Sequence, residues 1–201
     1  ELKAAELKRR VQDQLWDAEA NFFKVRLEDG TLSDARELLG YIPWLFNVPE
    51  PGRGYETAWA QFADPQGFSA PFGLTTAERR HPQFRSHGVG HCEWDGAVWP
   101  FATSQTLTAL ANVLRDSPRS ILTAADYFDA FLTYTHSQHA QRQPYIGEYL
   151  DETTGDWINR NGRSANYNHS TYADLLISGV IGLRPRADEV VEIHPLLPAG
   201  I

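Results

Sequence analysis

The chain has 201 residues, 42% of them hydrophobic, with a formal net charge of −8. That length suits one domain, or one and a fraction, with enough apolar residues for a core of ordinary size. The acidic balance without a basic patch argues against nucleic acid, no uncharged apolar run is long enough to cross a bilayer, and the single cysteine, Cys92, excludes an internal disulfide.

In chain order, Ala4, Leu7, Val11 and Leu15 form a helical stripe and predict a helix over Glu1 to Leu15. Asn21 to Leu27 reads as extended and runs into the turn pair Asp29-Gly30. Arg36 to Phe46 predicts a helix interrupted near Pro43, and Tyr55 to Ala63 a short one stopped at Asp64-Pro65. Residues 64 to 99 show no periodicity. So long an irregular stretch in a compact domain is usually functional or disordered, and Phe68, Phe72, Phe84, Trp94 and Trp99 argue against disorder. Three clear helices follow. Pro100 to Leu114 has proline in its first turn, with Leu107, Leu110, Ala111 and Leu114 on one face. Ala124 to Ser137 follows the N-cap candidate Thr123, with Asp126 three residues on. Ser170 to Ile181 is stopped by Gly182 and Pro185. The last two are separated by the polar, aromatic loop 139–169. Long helices joined by such loops predict a helical scaffold with its site on the loops.

The sequence opens in the middle of a helical stripe, and Val190 to His194 reads as a lone strand near its end. One strand cannot satisfy its own backbone, so the expectation is a segment of a longer polypeptide. No secretory leader is visible; the expected protein is soluble, in the cytoplasm or the periplasm.

Three stretches carry residues suited to chemistry. Trp94, Asp95 and Trp99 stand just before the Pro100 helix; indole faces stack on the C–H faces of sugars and carboxylates accept sugar hydroxyls. A plainer reading makes the tryptophans core filler and Asp95 a cap. Tyr145 to Trp157 holds four carboxylates: Glu148, Asp151, Glu152 and Asp156. Asp151 to Gly155 reads as a turn that uses Asp151 and Glu152 structurally. Glu148 precedes that turn, flanked by aromatics, in surroundings that tune a carboxylate for acid–base work. Asn166 to Tyr172 places His169 at a helix mouth, where it suits a polyhydroxylated ligand, or where Ser170 and its neighbours simply cap. His81, His87, His91 and Cys92 fit no closed zinc spacing, and there is no G-x-S-x-G, dinucleotide fingerprint or P-loop. No metal and no cofactor are expected.

These stretches resemble a known group. Residues 93–106, from Glu93-Trp94-Asp95-Gly96-Ala97-Val98-Trp99-Pro100 to Thr106, resemble the W-x-G-P-x-W signature of six-hairpin glycosidases, with Ala97 where proline is usual. Glu148 to Gly155 resembles the E-x-x-x-x-x-T-G stretch that carries their general base. Tyr167 to Asp174, followed by Gly182 to Arg186, is similar to the junction where the helical toroid meets a C-terminal β-domain. Leu15-Trp16-Asp17, Phe22-Phe23 and Pro71-Phe72-Gly73-Leu74 also fit. The nearest group is the mannosylglycerate-hydrolase-like glycosidases, akin to glycoside hydrolase family 63. The resemblance implies an all-α fold: residues 1–183 would be the C-terminal half of an (α/α)6 toroid, and 184–201 the first strand of a β-domain. It implies an inverting glycosidase in which Glu148 is the catalytic base. The sugar pocket would use Phe72, Trp94, Asp95, Trp99, Tyr145 and His169. The general acid would lie upstream, in a missing N-terminal part of the same polypeptide, leaving this segment inactive alone. The partner is a carbohydrate substrate. An epimerase or isomerase led by His169, or a non-catalytic carbohydrate-binding helical module, is the alternative on the same scaffold.

Overall fold

The structure is a computed structural model that describes residues 2–87, 94–117, 119–158, 165 and 171–200. It is helix-rich. Among the described residues its strands are two-residue pieces paired into small antiparallel hairpins.

Helix α1 spans Leu2–Leu15 and leads directly into the hairpin β1 (Trp16–Asp17) and β2 (Phe22–Phe23). A 3₁₀ turn at Leu38–Tyr41 runs into α2 (Ile42–Leu45). Pro43 therefore opens this helix rather than interrupting it, because in the first turn its missing N–H has no intrahelical partner to lose. A second 3₁₀ turn, Tyr55–Trp59, continues as α3 (Ala60–Ala63) and stops where Asp64 turns extended before Pro65. The hairpin β3 (Ser69–Ala70) and β4 (Gly73–Leu74) follows.

Helix α4, Pro100–Asp116, is the hub. Leu107, Leu110 and Ala109 are fully buried, and it packs on α2, on α5 (Ala124–Ser137) and on the last helix. Helix α5 starts where the sequence predicts: the Thr123 hydroxyl accepts from the Asp126 amide while the Asp126 carboxylate accepts from the Thr123 amide, a reciprocal box. Hairpin β5 (His139–Ala140) and β6 (Gln143–Pro144) leads into the second irregular stretch.

The last helix begins as α6, Tyr172–Asp174, and widens into a π-helical segment, Leu175–Val180. The Tyr127 hydroxyl donates to the Leu175 carbonyl at 3.1 Å, and burial pushes that phenol up from its ordinary pKa. At Gly179 a Cβ would lie 1.8 Å from the same hydroxyl oxygen, so only glycine admits the tyrosine there. The expected lone strand is a correction. Strand β8 (Glu192–Ile193) pairs antiparallel with β7 (Leu183–Arg184), and the chain returns to bury Leu196 on the core. Backbone demand explains it: each strand needs a partner, and Gly182 at φ +76° turns the chain to supply one.

The core is unusually aromatic at the α1–α3 end. Tyr41 stacks on Trp59 with centroids 4.2 Å apart, while Phe22 and Trp44 meet these rings edge-on. Across it, Arg36 and Glu78 form a largely buried clamp at 2.7 Å that ties the middle of the long irregular stretch to the segment before α2. Among the described residues no helix is long and apolar enough to cross a membrane.

Candidate active site

Two irregular strips, 94–99 and 145–157, lie side by side because their backbones pair. Val98 donates to Leu150 at 3.0 Å and Leu150 donates back at 2.9 Å. Thr75 bridges Val98 on one side, and Trp157 bridges Leu150 on the other. At the paired residues, neighbouring side chains point to opposite sides, Val98 against Trp99 and Leu150 against Tyr149, so this segment has two faces; bends at residues 95–97 and 148 end the alternation there. On one face, Trp94 stacks on Trp99 (4.4 Å) and Trp99 on Tyr149 (4.8 Å). On the other, Val98, Leu150 and Trp157 form a small apolar cluster with Tyr145 against it.

Glu148 is half-buried and directly precedes the stacked Tyr149. Its approach is fixed by Gly147, where a Cβ would lie 2.2 Å from the Trp157 ring. That ring is pinned in turn by its Nε1 donating to the His139 carbonyl at 2.9 Å. Beyond Glu148 the chain makes the expected turn. One Asp151 oxygen accepts from the Thr153 amide and hydroxyl and from the Thr154 amide, all within 2.8 Å. The other accepts from His87 Nδ1 at 2.5 Å. Burial pushes the Asp151 carboxyl up, but these donors outweigh it and hold it at about 2. Glu152 is fully buried and accepts from the Ser86 hydroxyl at 2.5 Å and the His87 amide at 2.9 Å.

Residues 85–87 thus bracket both strips. Arg85 pairs with Asp95 through Nε–Oδ2 at 2.6 Å and donates its amide to the Asp95 carbonyl. Ser86 and His87 hold the turn after Glu148. His87 sits at φ +68°, a left-handed backbone that a side chain adopts at some cost. His87, Asp151 and Glu152 offer ligand atoms within 4.8 Å of one another, the geometry of a cation site. Yet the carboxylate oxygens already accept protein donors, so the cluster works as a hydrogen-bonded latch.

The predicted site residues separate accordingly. Trp94 is half-exposed at the stacked face, and Asp95, also half-exposed, pairs with Arg85; both lie on the strip that pairs with the one carrying Glu148. Trp99 is 2% exposed with a ring on each face, so it supports Trp94 and has no face left for a sugar. Tyr145 lies with Trp157 in the cluster on the opposite face. Phe72 also belongs to that side: it shares a cavity with Val98 and rests on Gly155. His169 lies outside the described residues, as do His91, Cys92 and Glu93. The bracket at 85–87 was missed by sequence reasoning. The expected structural use of Glu152 in its own turn is corrected here: Asp151 alone holds the turn, and the Glu152 carboxylate reaches Ser86 and His87 instead.

A family model matches residues 1–170, that of the mannosylglycerate hydrolase MGH1-like glycoside hydrolase domain. The chain belongs to this family of glycoside hydrolases. Family membership agrees with the motif resemblance and makes glycosidase the activity class at family level. A solved structure named "Sialidase" is 52% identical with a TM-score of 0.94, and the match covers 99% of this chain and 18% of that one. The GH63 mannosylglycerate hydrolase from Thermus thermophilus in complex with glucose is 23% identical with a TM-score of 0.55, over 82% of this chain and 36% of that one. An uncharacterised conserved protein from Thermus thermophilus is 24% identical with a TM-score of 0.58, over 82% and 37%. These last two show a shared fold. The chain therefore spans about a fifth to two fifths of the length of these relatives. No curated protein matches it.

Proposed function

We propose that this unit is the base-bearing part of an inverting glycoside hydrolase, with Glu148 as the group that takes a proton from the attacking water. The observation that carries the reading is the Val98–Leu150 pairing: it lays the strip bearing Trp94 and Asp95 against the strip bearing Glu148. Trp94 offers a flat apolar surface, held from behind by Trp99 and Tyr149. Asp95, oriented by Arg85, accepts sugar hydroxyls, and His169 completes the pocket. The general acid comes from elsewhere in a longer polypeptide, across a gap of roughly 6.5–9.5 Å that leaves room for the water.

In this reading residues 1–183 are the C-terminal half of an (α/α)6 toroid and 184–201 begin a β-domain. An open apolar groove of about 880 Å³ between α1 and residues 39–48 supports the first part: no residue of α1 is buried, and Leu7 and Phe46 are exposed beside the groove. A surface of that kind suits the packing of further helices.

The test uses the longer polypeptide that contains this unit, assayed on a panel of aryl glycosides and oligosaccharides that includes a sialoside. Glu148→Gln lowers kcat by about 10²–10⁴-fold with KM nearly unchanged. Proton NMR in the first minutes shows a product anomer opposite to the substrate's. Retention of configuration, or a small effect of Glu148→Gln, overturns the assignment.

A further inference from the structure

Helix α5 carries a polar stripe, Asp129, Thr133 and His136, at the three-to-four spacing that puts residues on one face. Two open clefts lie beside it, with wall residues in common, and are treated as lobes of one groove. One lobe, of about 210 Å³, lies between α5, the β3–β4 hairpin and Val98. The other, of about 480 Å³, lies between the end of α5 and the turn 154–157. Phe72 and Thr133 line both lobes.

Phe72 is 39% exposed, yet it is held in place. Its amide donates to the Glu152 carbonyl at 3.2 Å. Its ring lies on Gly155, where a Cβ would come within 2.4 Å of a ring carbon. Gly155 has φ +76°, so the one glycine both makes the turn and clears a bed for the ring. The groove therefore presents one fixed aromatic surface flanked by a hydroxyl, two carboxylates (Asp129 and Asp156) and an imidazole.

The geometry points to a carbohydrate-binding groove along α5, in which a neutral pyranoside ring stacks on Phe72 and its hydroxyls meet Asp129, Thr133, His136 and Asp156. A pyranose has the matching surface: an apolar C–H face edged by hydroxyls. Binding sites of this sort combine apolar walls with a few placed polar groups. Because Val98 and Trp99 point to opposite faces of the ladder, this groove does not share the Trp94–Trp99–Tyr149 stack. Its occupancy is independent of whether Glu148 is a base.

The experiment titrates the isotope-labelled 201-residue chain with methyl α- and β-pyranosides of glucose, mannose and galactose, following backbone amides by NMR. At least one probe shifts the amides of Thr133, His136 and Gly155 with a Kd on the order of millimolar. Phe72→Ala weakens that response by about ten-fold, while Trp94→Ala leaves it unchanged. Thr133→Val, nearly isosteric, weakens it by about five-fold, read at His136 and Gly155, and decides the matter should the Phe72 variant fail to fold. Three results overturn the proposal: no shift at these amides at the solubility limit of every probe, shifts that survive both the Phe72 and Thr133 variants, or shifts abolished by Trp94→Ala.

Discussion

Asp151 shows how a single carboxylate holds the Glu148 loop. Its pKa falls from an ordinary 3.8 to about 2 in the folded chain, so the native state favours the ionised form. A depressed pKa contributes stability that is complete above the unfolded value and disappears as pH falls through the folded one. The window is therefore about pH 4 down to about pH 2, and the contribution at neutral pH is about 2 kcal/mol. Asp151→Asn should lower stability by that order at pH 7, with the gap to the parent chain closing below about pH 3. Urea unfolding at several pH values measures it; a gap that stays constant across the window contradicts the latch. The turn itself was legible, because Asp-x-Thr-Thr-Gly is turn chemistry. The donors from Ser86 and His87 were not: they arrive from 64 to 66 residues away, and no local pattern encodes such an approach.

Among the elements, the helices were read best where their ends carry local chemistry. Helix α5 occupies the predicted residues because the Thr123–Asp126 box defines its start without tertiary help. Thr123→Ala removes one side of that box and should cost about 1 kcal/mol, seen as a lower urea midpoint with an unchanged slope. A loss much larger than this would mean that Thr123 also supports the packing of Leu122, which is buried beside it. Helix α2 was harder. Its proline was read as a break, since a Pro within a run of apolar residues looks the same whether a helix starts or stops there. The irregular strips were opaque for a different reason. Trp94 and Trp99 announced a site by residue type, but which ring would be a surface and which a support depends on Tyr149, fifty residues after Trp99.

At the scale of the whole molecule, the paired strips and the exposed apolar groove belong to one account. The described chain offers Glu148 and a stacked aromatic platform, and the second carboxylate is proposed to come from beyond these residues. The isolated 201-residue chain should accordingly show no turnover above buffer on the glycoside panel, whereas a longer polypeptide containing it should turn over at least one substrate. Activity of the isolated chain would place the acid within these residues and reopen Asp95 and Asp156 as candidates.

The Val98–Leu150 pairing also has a kinetic meaning. Its two hydrogen bonds close a loop of about fifty residues, and closing so long a loop is entropically uphill until the flanking contacts repay it. Helices α4 and α5, which lie inside that loop, can form early from local contacts. The Trp99–Tyr149 stack exists only after the loop has shut. The order of events during folding thus puts the scaffold first and the site last.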